Sequence, residues 1–343
     1  MDIGRTLGSQ PPGLGATLSA IDTARGQEQM FVEQMPELLH QLSEHARIAS
    51  ITASNAIEDV VVDAERAERI AEGSPRFRNR NEKEFAGYRD ALDALLRKDA
   101  HEPLNVPFVL YLHRTLFHHL GGHGGYLKTE DNMIASGEPG QREIVFTPPP
   151  WQQTEFMLTE LFERYNAAKR DRVAHPLVLL SAMVLDFLAV HPVTDGNGRL
   201  ARLITTHELL SHGYRVARYI SVEQRIFESK NTYYATLYES QRDWHQANHS
   251  IWPWTSYLAQ ILADAYEDFE RRVLAAAVSS GGKQERVREY ICHQSPPEFR
   301  KRDIERALPG ISTATIRLVL NELRDSRRIE LHGSGPGARW HRP

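Results

Sequence analysis

Apolar residues recur at helical spacing through most of this chain. Leu38, Leu39, Leu42, Ala46, Ile48, Ile51 and Ile57 define a first amphipathic helix, which begins near Met30 and tolerates Pro36 in its opening turn. The same period predicts helices over 63–72, 82–96, 106–119, 151–165, 176–190, 198–212, 222–227, 231–246 and 254–278. Residues 1–29 mix Gly, Pro, Ser and Thr with little periodicity, which predicts a flexible N-terminus. Between 126 and 150 the pattern changes. Two short runs, 132–136 and 143–147, flank the turn-forming GEPGQ of 137–141, as a two-stranded hairpin would. The SSGG of 279–282 predicts a linker that closes a mainly α-helical body spanning 30–278.

Composition narrows the class. With 343 residues, 41% hydrophobic and 25% charged, the chain suits one large globular domain plus a small one, and excludes a disulfide miniprotein, a collagen or a disordered tail. Its single cysteine, Cys292, cannot close an intramolecular disulfide, and the N-terminus lacks a signal-like apolar run, so a cytoplasmic setting is expected. The most apolar stretch, 176–190, is too short for a bilayer and carries Asp186, so no membrane partner is expected. The formal net charge of -4 conceals an asymmetry. Residues 283–343 hold 13 basic and 8 acidic side chains, whereas 1–282 hold 28 basic and 37 acidic. An acidic body carries a basic tail.

Candidate chemistry concentrates in one segment, AVHPVTDGNGRLARLITTHELLSHG, residues 189–213. Pro192 pushes His191 out of the helical region, so the buried helix should stop there and present the imidazole from a loop. Gly196 and Gly198 allow a tight turn into a new helix. Unpaired N–H groups and a partial positive charge at such a helix start favour phosphate oxygens. Arg199 and Arg202, three apart, can both meet the distal phosphates of a nucleotide. Asp195 at the loop tip is an oxygen ligand suited to Mg²⁺, and His191 is the nearby group able to accept a proton near neutral pH. By contrast His118, His119 and His123 lack a cysteine or carboxylate to complete a metal set. His207 and His212, five apart, do not share the face that a zinc helix uses.

The segment closely resembles the signature loop of the Fic family, H-P-F-x-D/E-G-N-G-R-x-x-R, here His191, Pro192, Val193, Thr194, Asp195, Gly196, Asn197, Gly198, Arg199 and Arg202. Val193 replaces a phenylalanine that packs into the core. The resemblance extends over roughly 30–280 and implies a Fic helical fold with a β-hairpin flap. It implies transfer of AMP from ATP to a hydroxyl of a target protein, with His191 as general base and Asp195 holding Mg²⁺. Gly196, Asn197 and Gly198 would cradle the phosphates, and Arg199 and Arg202 would bind the outer ones. Kinase-like relatives usually carry Lys where Gly198 stands, which favours AMP transfer over phosphorylation. Ser54 and Glu58 resemble the inhibitory S/T-x-x-x-E-G/N motif of one class of the family, whose glutamate pairs with the second arginine of the loop; Asp59 stands where Gly or Asn is usual. The 126–150 hairpin corresponds to a flap that holds the target by strand addition. Asn231, Tyr233 and Tyr234 fall where relatives border the adenine pocket, although an aromatic pair at helical spacing also reads as core.

The tail is written differently. Helices are predicted at 285–293 and 301–308, Ser312 caps a third over 313–325, and 328–342 reads as a glycine-turned hairpin. That order is that of a winged helix-turn-helix module over 283–343, with 313–325 as its recognition helix. Lys301, Arg302, Arg306, Arg317, Arg324, Arg327, Arg328 and Arg339 suit DNA phosphates, and docking to protein is the alternative for such a unit. Two rival functions stay open beside AMP transfer: a nucleotide-sensing DNA-binding regulator, and a Fic transferase with another phosphate-linked donor. A homodimer is a further expectation.

Overall fold

The computed structural model describes residues 10–73, 76–97, 102–136, 143–333 and 338–342. The tip of the first hairpin (137–142), residues 334–337 of the second and the first nine residues lie outside them. The chain divides into two compact units, 1–269 and 270–343.

The first unit is helical. In chain order it contains α1 (Leu14–Gln34), α2 (Pro36–Ile57), α3 (Ala64–Ala71), α4 (Arg80–Leu96), α5 (Val106–Leu116), β1 (Ile134–Ser136), β2 (Glu143–Phe146), α6 (Thr154–Asp171), α7 (Pro176–Val190), α8 (Asn197–Ser211), α9 (Val216–Tyr219), α10 (Val222–Glu228), α11 (Lys230–Gln241) and the part of α12 (Trp252–Glu289) up to Phe269, the rest of that helix belonging to the second unit. At its centre α7 is buried from Leu177 to Val190, and α8 from Arg199 to Leu210. A helix apolar all round belongs inside, and α7 is started there by Pro176 at its first position and by the His175 ring accepting the Leu177 N–H. α6 packs on α7, α7 on α8, and α2 lies against α4, α8, α9 and α10. Gly87 lets α4 meet α5 backbone to backbone: a Cβ there would stand 1.9 Å from the Leu116 carbonyl oxygen. β1 and β2 pair antiparallel, Ala135 opposite Ile144, with an irregular register beside Ile134.

Three sequence expectations are corrected. The N-terminus expected to be flexible is helical from Leu14, and Leu14, Leu18 and Ile21 are buried. The linker expected at 279–282 lies inside α12, and the boundary between units falls at 269/270. The helix expected over 231–246 stops at Gln241, because Asp243 takes a left-handed φ of 57° before a short 3₁₀ turn, Trp244–Gln246.

The second unit adds β3 (Glu298–Phe299), α13 (Lys301–Ala307), α14 (Thr313–Asp325), β4 (Glu330–His332) and β5 (Arg339–His341). Its sheet runs β3-β5-β4, all antiparallel. Val287, Ile291, Phe299, Ile304, Ile316, Val319, Leu320, Leu323 and Trp340 form its core. Ser312 caps α14 by accepting the Thr315 N–H. Among the described residues, no helix is long and apolar enough to cross a membrane.

Candidate active site

The loop between α7 and α8 gathers the chemistry. His191 caps α7 in the left-handed conformation, φ 50° and ψ 62°, an uncommon backbone for a non-glycine residue. Its Nδ1 lies 3.2 Å from the Leu188 carbonyl oxygen. A carbonyl only accepts, so Nδ1 carries the proton and Nε2 keeps a free lone pair. Burial, opposed by the Leu188 hydrogen bond, pushes the imidazole pKa down to about 4, so the ring is neutral and able to take a proton at pH 7.

The rest of the loop is shaped from within. Asn197 closes it: Nδ2 donates to the Val193 carbonyl at 2.7 Å and Oδ1 accepts the Val193 N–H at 3.1 Å. Its side chain therefore holds the turn, and only its backbone is left to the phosphate role the sequence suggested. Val193 is fully buried, as the packing position demands. Gly196 has φ 89°, and a Cβ would press on the Phe117 ring at 2.9 Å. The Asp195 carbonyl lies 3.2 Å from Nε2 of His113, whose Nδ1 accepts the Gly125 N–H. That acceptor role places the ring proton on Nε2, so His113 donates to the loop from below.

Arg199 and Arg202 are both buried and have separate partners. Arg199 donates to Glu84 at 2.7 Å and lies over the Phe117 ring. Burial alone would raise the Glu84 pKa, but the Arg80 hydrogen bond and the Arg199 charge hold it below the usual carboxylate range. Arg202 donates from Nε to Ser54 Oγ at 2.7 Å, and from Nη2 to the Ser54 carbonyl at 2.9 Å and Glu58 Oε1 at 2.8 Å. Ser54, in the last turn of α2, and Glu58, which caps its C-terminus, thus reach one guanidinium, the partner that the resemblance to the inhibitory motif implied. Asp59 adopts φ 58°, a left-handed position that Asp reaches at low cost, and pairs with Lys230.

One contact defines the state of the site. A Cβ on Gly198 would stand 2.2 Å from Glu58 Oε1, so the carboxylate rests against the first turn of α8. An anion from the protein's own chain already sits where the helix terminus favours one.

The residues fit a phosphate ligand. Among the described residues Nε of Arg199 and Nη1 of Arg202 are buried without a hydrogen-bond partner, a costly state that phosphate oxygens would relieve. Asp195 is half-exposed, 3.5 Å from Arg199 and 3.8 Å from Arg80. The described residues contain no group of three or more His, Cys, Asp or Glu suited to a metal. Asp195 could hold a magnesium ion whose remaining ligands were nucleotide oxygens and water, since magnesium commonly binds through one or two carboxylates.

Tyr233 is buried against Tyr234, Trp254 and Tyr257, and Tyr234 stands partly exposed with Glu58 and Arg202 nearby. Asn231 is exposed. Sequence reasoning missed Glu84, His113, Lys128 and Asn132. The last two join the flap base to the loop.

A helical fold, a neutral histidine with Nε2 unprotonated and an arginine-lined helix terminus meet at this loop. The Fic/DOC family profile matches residues 103–209. A Fido domain-containing protein of Dictyostelium discoideum is 26% identical over 136 residues, covering 40% of this chain and 85% of that protein. The protein adenylyltransferase and cysteine protease IbpA of Histophilus somni is 28% identical over 124 residues, which cover 36% of this chain and 3% of IbpA. A crystal structure of a Fic family protein from Desulfovibrio desulfuricans has the same fold, with a TM-score of 0.63 at 22% identity, over 98% of this chain and 97% of that one. Residues 103–209 thus carry a Fic/DOC-family domain.

Proposed function

We propose that the domain transfers AMP from ATP to a hydroxyl side chain of a target protein, and to its own chain, and that Glu58 restrains it. The observation that carries this reading is the Glu58 carboxylate seated on Arg202 and against Gly198, beside a histidine with a free Nε2. In the transfer, Nε2 of His191 takes the hydroxyl proton as the oxygen attacks the α-phosphorus; the bond to the β-phosphate breaks and pyrophosphate leaves. The N–H groups of the first turn of α8 and the two arginines orient the phosphates and neutralise charge that develops on them. Magnesium, bound at Asp195, would add further charge neutralisation there. Gly198 in place of the lysine of kinase-like relatives supports AMP as the transferred group. The flap supports a protein acceptor: among the described residues β1 and β2 pair only with each other, and Met133 and Ile144 are exposed on it. The test is intact mass of Glu58→Gly incubated with ATP and Mg²⁺. An added AMP supports the reading; no adduct on the chain or on lysate proteins contradicts it.

A second reading concerns the C-terminal unit, and its topology favours it. Helix, strand, two helices and a hairpin, with sheet order β3-β5-β4, fit a winged helix-turn-helix module. On α14, Arg317 and Asn321 are exposed, with Arg327 and Arg328 just beyond its end, whereas Arg324 and Arg339 are occupied by Asp325 and Glu298. We infer DNA as the partner. The full chain should bind duplex DNA with an affinity that falls steeply as salt rises, and salt-insensitive binding or none would remove it.

A further inference from the structure

The flap and the catalytic loop are joined by residues to which the reaction assigns nothing. Lys128 is almost wholly buried, and its Nζ donates to the Val190 carbonyl at 3.0 Å, the Pro149 carbonyl at 3.1 Å and Asn132 Oδ1 at 3.0 Å. Its backbone N–H donates to the Pro192 carbonyl at 2.9 Å. Asn132 Nδ2 donates to the carbonyls of His191 and Val193, each at 3.2 Å. Four consecutive carbonyls, 190 to 193, are thus bound by two residues at the base of the flap. These groups sit where α7 ends, its last carbonyls lack helical partners and its dipole favours a cation.

Among the described residues the side-chain hydrogen bonds of Lys128 all go to neutral oxygens, so a buried charge has been placed here without the close ion pair that usually accompanies one. Burial pulls the lysine pKa down, with Asp131 opposing. Lys128 and Glu58 are the charged groups that act on His191, the lysine disfavouring the imidazolium and the glutamate favouring it.

We propose that Lys128 and Asn132 are positioning residues that clasp the flap to the catalytic loop, so that the target's register and the His191 peptide are set together. The role rests on the AMP-transfer reading. The clasp holds His191 in its left-handed backbone, from which Nε2 reaches its working position. A base displaced by about 1 Å can cost a factor of about 100 in rate, which makes the clasp worth its buried charge.

The test uses full-length Lys128→Met, Lys128→Arg and Asn132→Ala. The His191 ring is followed by NMR titration and assigned with His191→Gln; Mg²⁺–ATP affinity is measured by calorimetry. Folded Lys128→Met should bind nucleotide normally while its His191 midpoint rises toward the ordinary histidine range, and Lys128→Arg should restore it. In a Glu58→Gly background, Lys128→Met and Asn132→Ala should each lower kcat by about 100-fold with KM for ATP unchanged. A folded Lys128→Met whose His191 titrates as in the parent overturns the proposal. Should that variant not fold, Asn132→Ala with undiminished kcat does so instead. If Glu58→Gly itself transfers nothing, the functional reading fails, and the His191 titration still decides the clasp.

Discussion

Glu58→Gly removes a single carboxylate from a site whose geometry otherwise stays intact. Arg202 keeps its bonds to Ser54 Oγ and to the Ser54 carbonyl, so the guanidinium remains aimed at the loop. What disappears is the 2.8 Å bond from Nη2 to Glu58 Oε1, together with the oxygen lodged against Gly198. On the proposed function, a nucleotide would have to displace that anion in the parent before its outer phosphates could seat. A charge-assisted hydrogen bond contributes about 1.5 to 3 kcal/mol, and each 1.4 kcal/mol is a factor of about ten. The initial rate of self-labelling at subsaturating ATP should therefore rise about 10- to 150-fold. Glu58→Gln, which keeps the shape and loses the charge, should fall between the two. The assay is a time course of intact mass with Mg²⁺–ATP. Equal rates in parent and Glu58→Gly would refute the inhibitory assignment, whatever the absolute activity.

Other consequences are independent of that switch. His191, held down to about 4, should give a kcat/KM profile that is level across neutral pH, with an acid limb near that value. His191 and His212 both favour the neutral ring in the fold, their stabilisation is complete above the unfolded value of 6.5, and it is lost as pH falls toward 4; thermal melts should show Tm dropping over that window. Glu28 works in the opposite sense: burial raises its pKa to about 7, so the fold loses stability as pH climbs from 4.5 to 7, and Glu28→Gln should raise Tm more at pH 8 than at pH 5. Gly87→Ala would drive a methyl group into the Leu116 carbonyl, so chemical denaturation should show a loss of about 1 to 3 kcal/mol, and an unchanged midpoint would contradict the close approach of α4 and α5.

The His191–Arg202 loop was legible in the sequence because its residue types stand together at short, fixed spacing. Glu58 was legible through Ser54 together with the resemblance of the signature loop, since a residue four positions beyond Ser54 falls on the same side of the helix end. Glu84 was not: on α4, far from Arg199 in sequence, nothing separates it from a solvated helix charge until the fold brings them together. His113, Lys128 and Asn132 escaped for a related reason, because they act through backbone carbonyls, which carry no side-chain signature. The N-terminal helix was obscured by its glycines, although Leu14, Leu18 and Ile21 do keep helical spacing. At 279–282 the helix continues through two glycines that cost about 1 kcal/mol each, because propagating an existing helix needs no new nucleus.

Whether the His191 loop moves the AMP moiety of ATP is tested most directly by isotope position. Glu58→Gly should acquire label from ATP carrying it in the α-phosphate and none from ATP carrying it in the γ-phosphate, and adding His191→Ala should abolish the transfer while leaving nucleotide binding in place. Label arriving from the γ-phosphate, or α-label that persists without His191, would contradict the account.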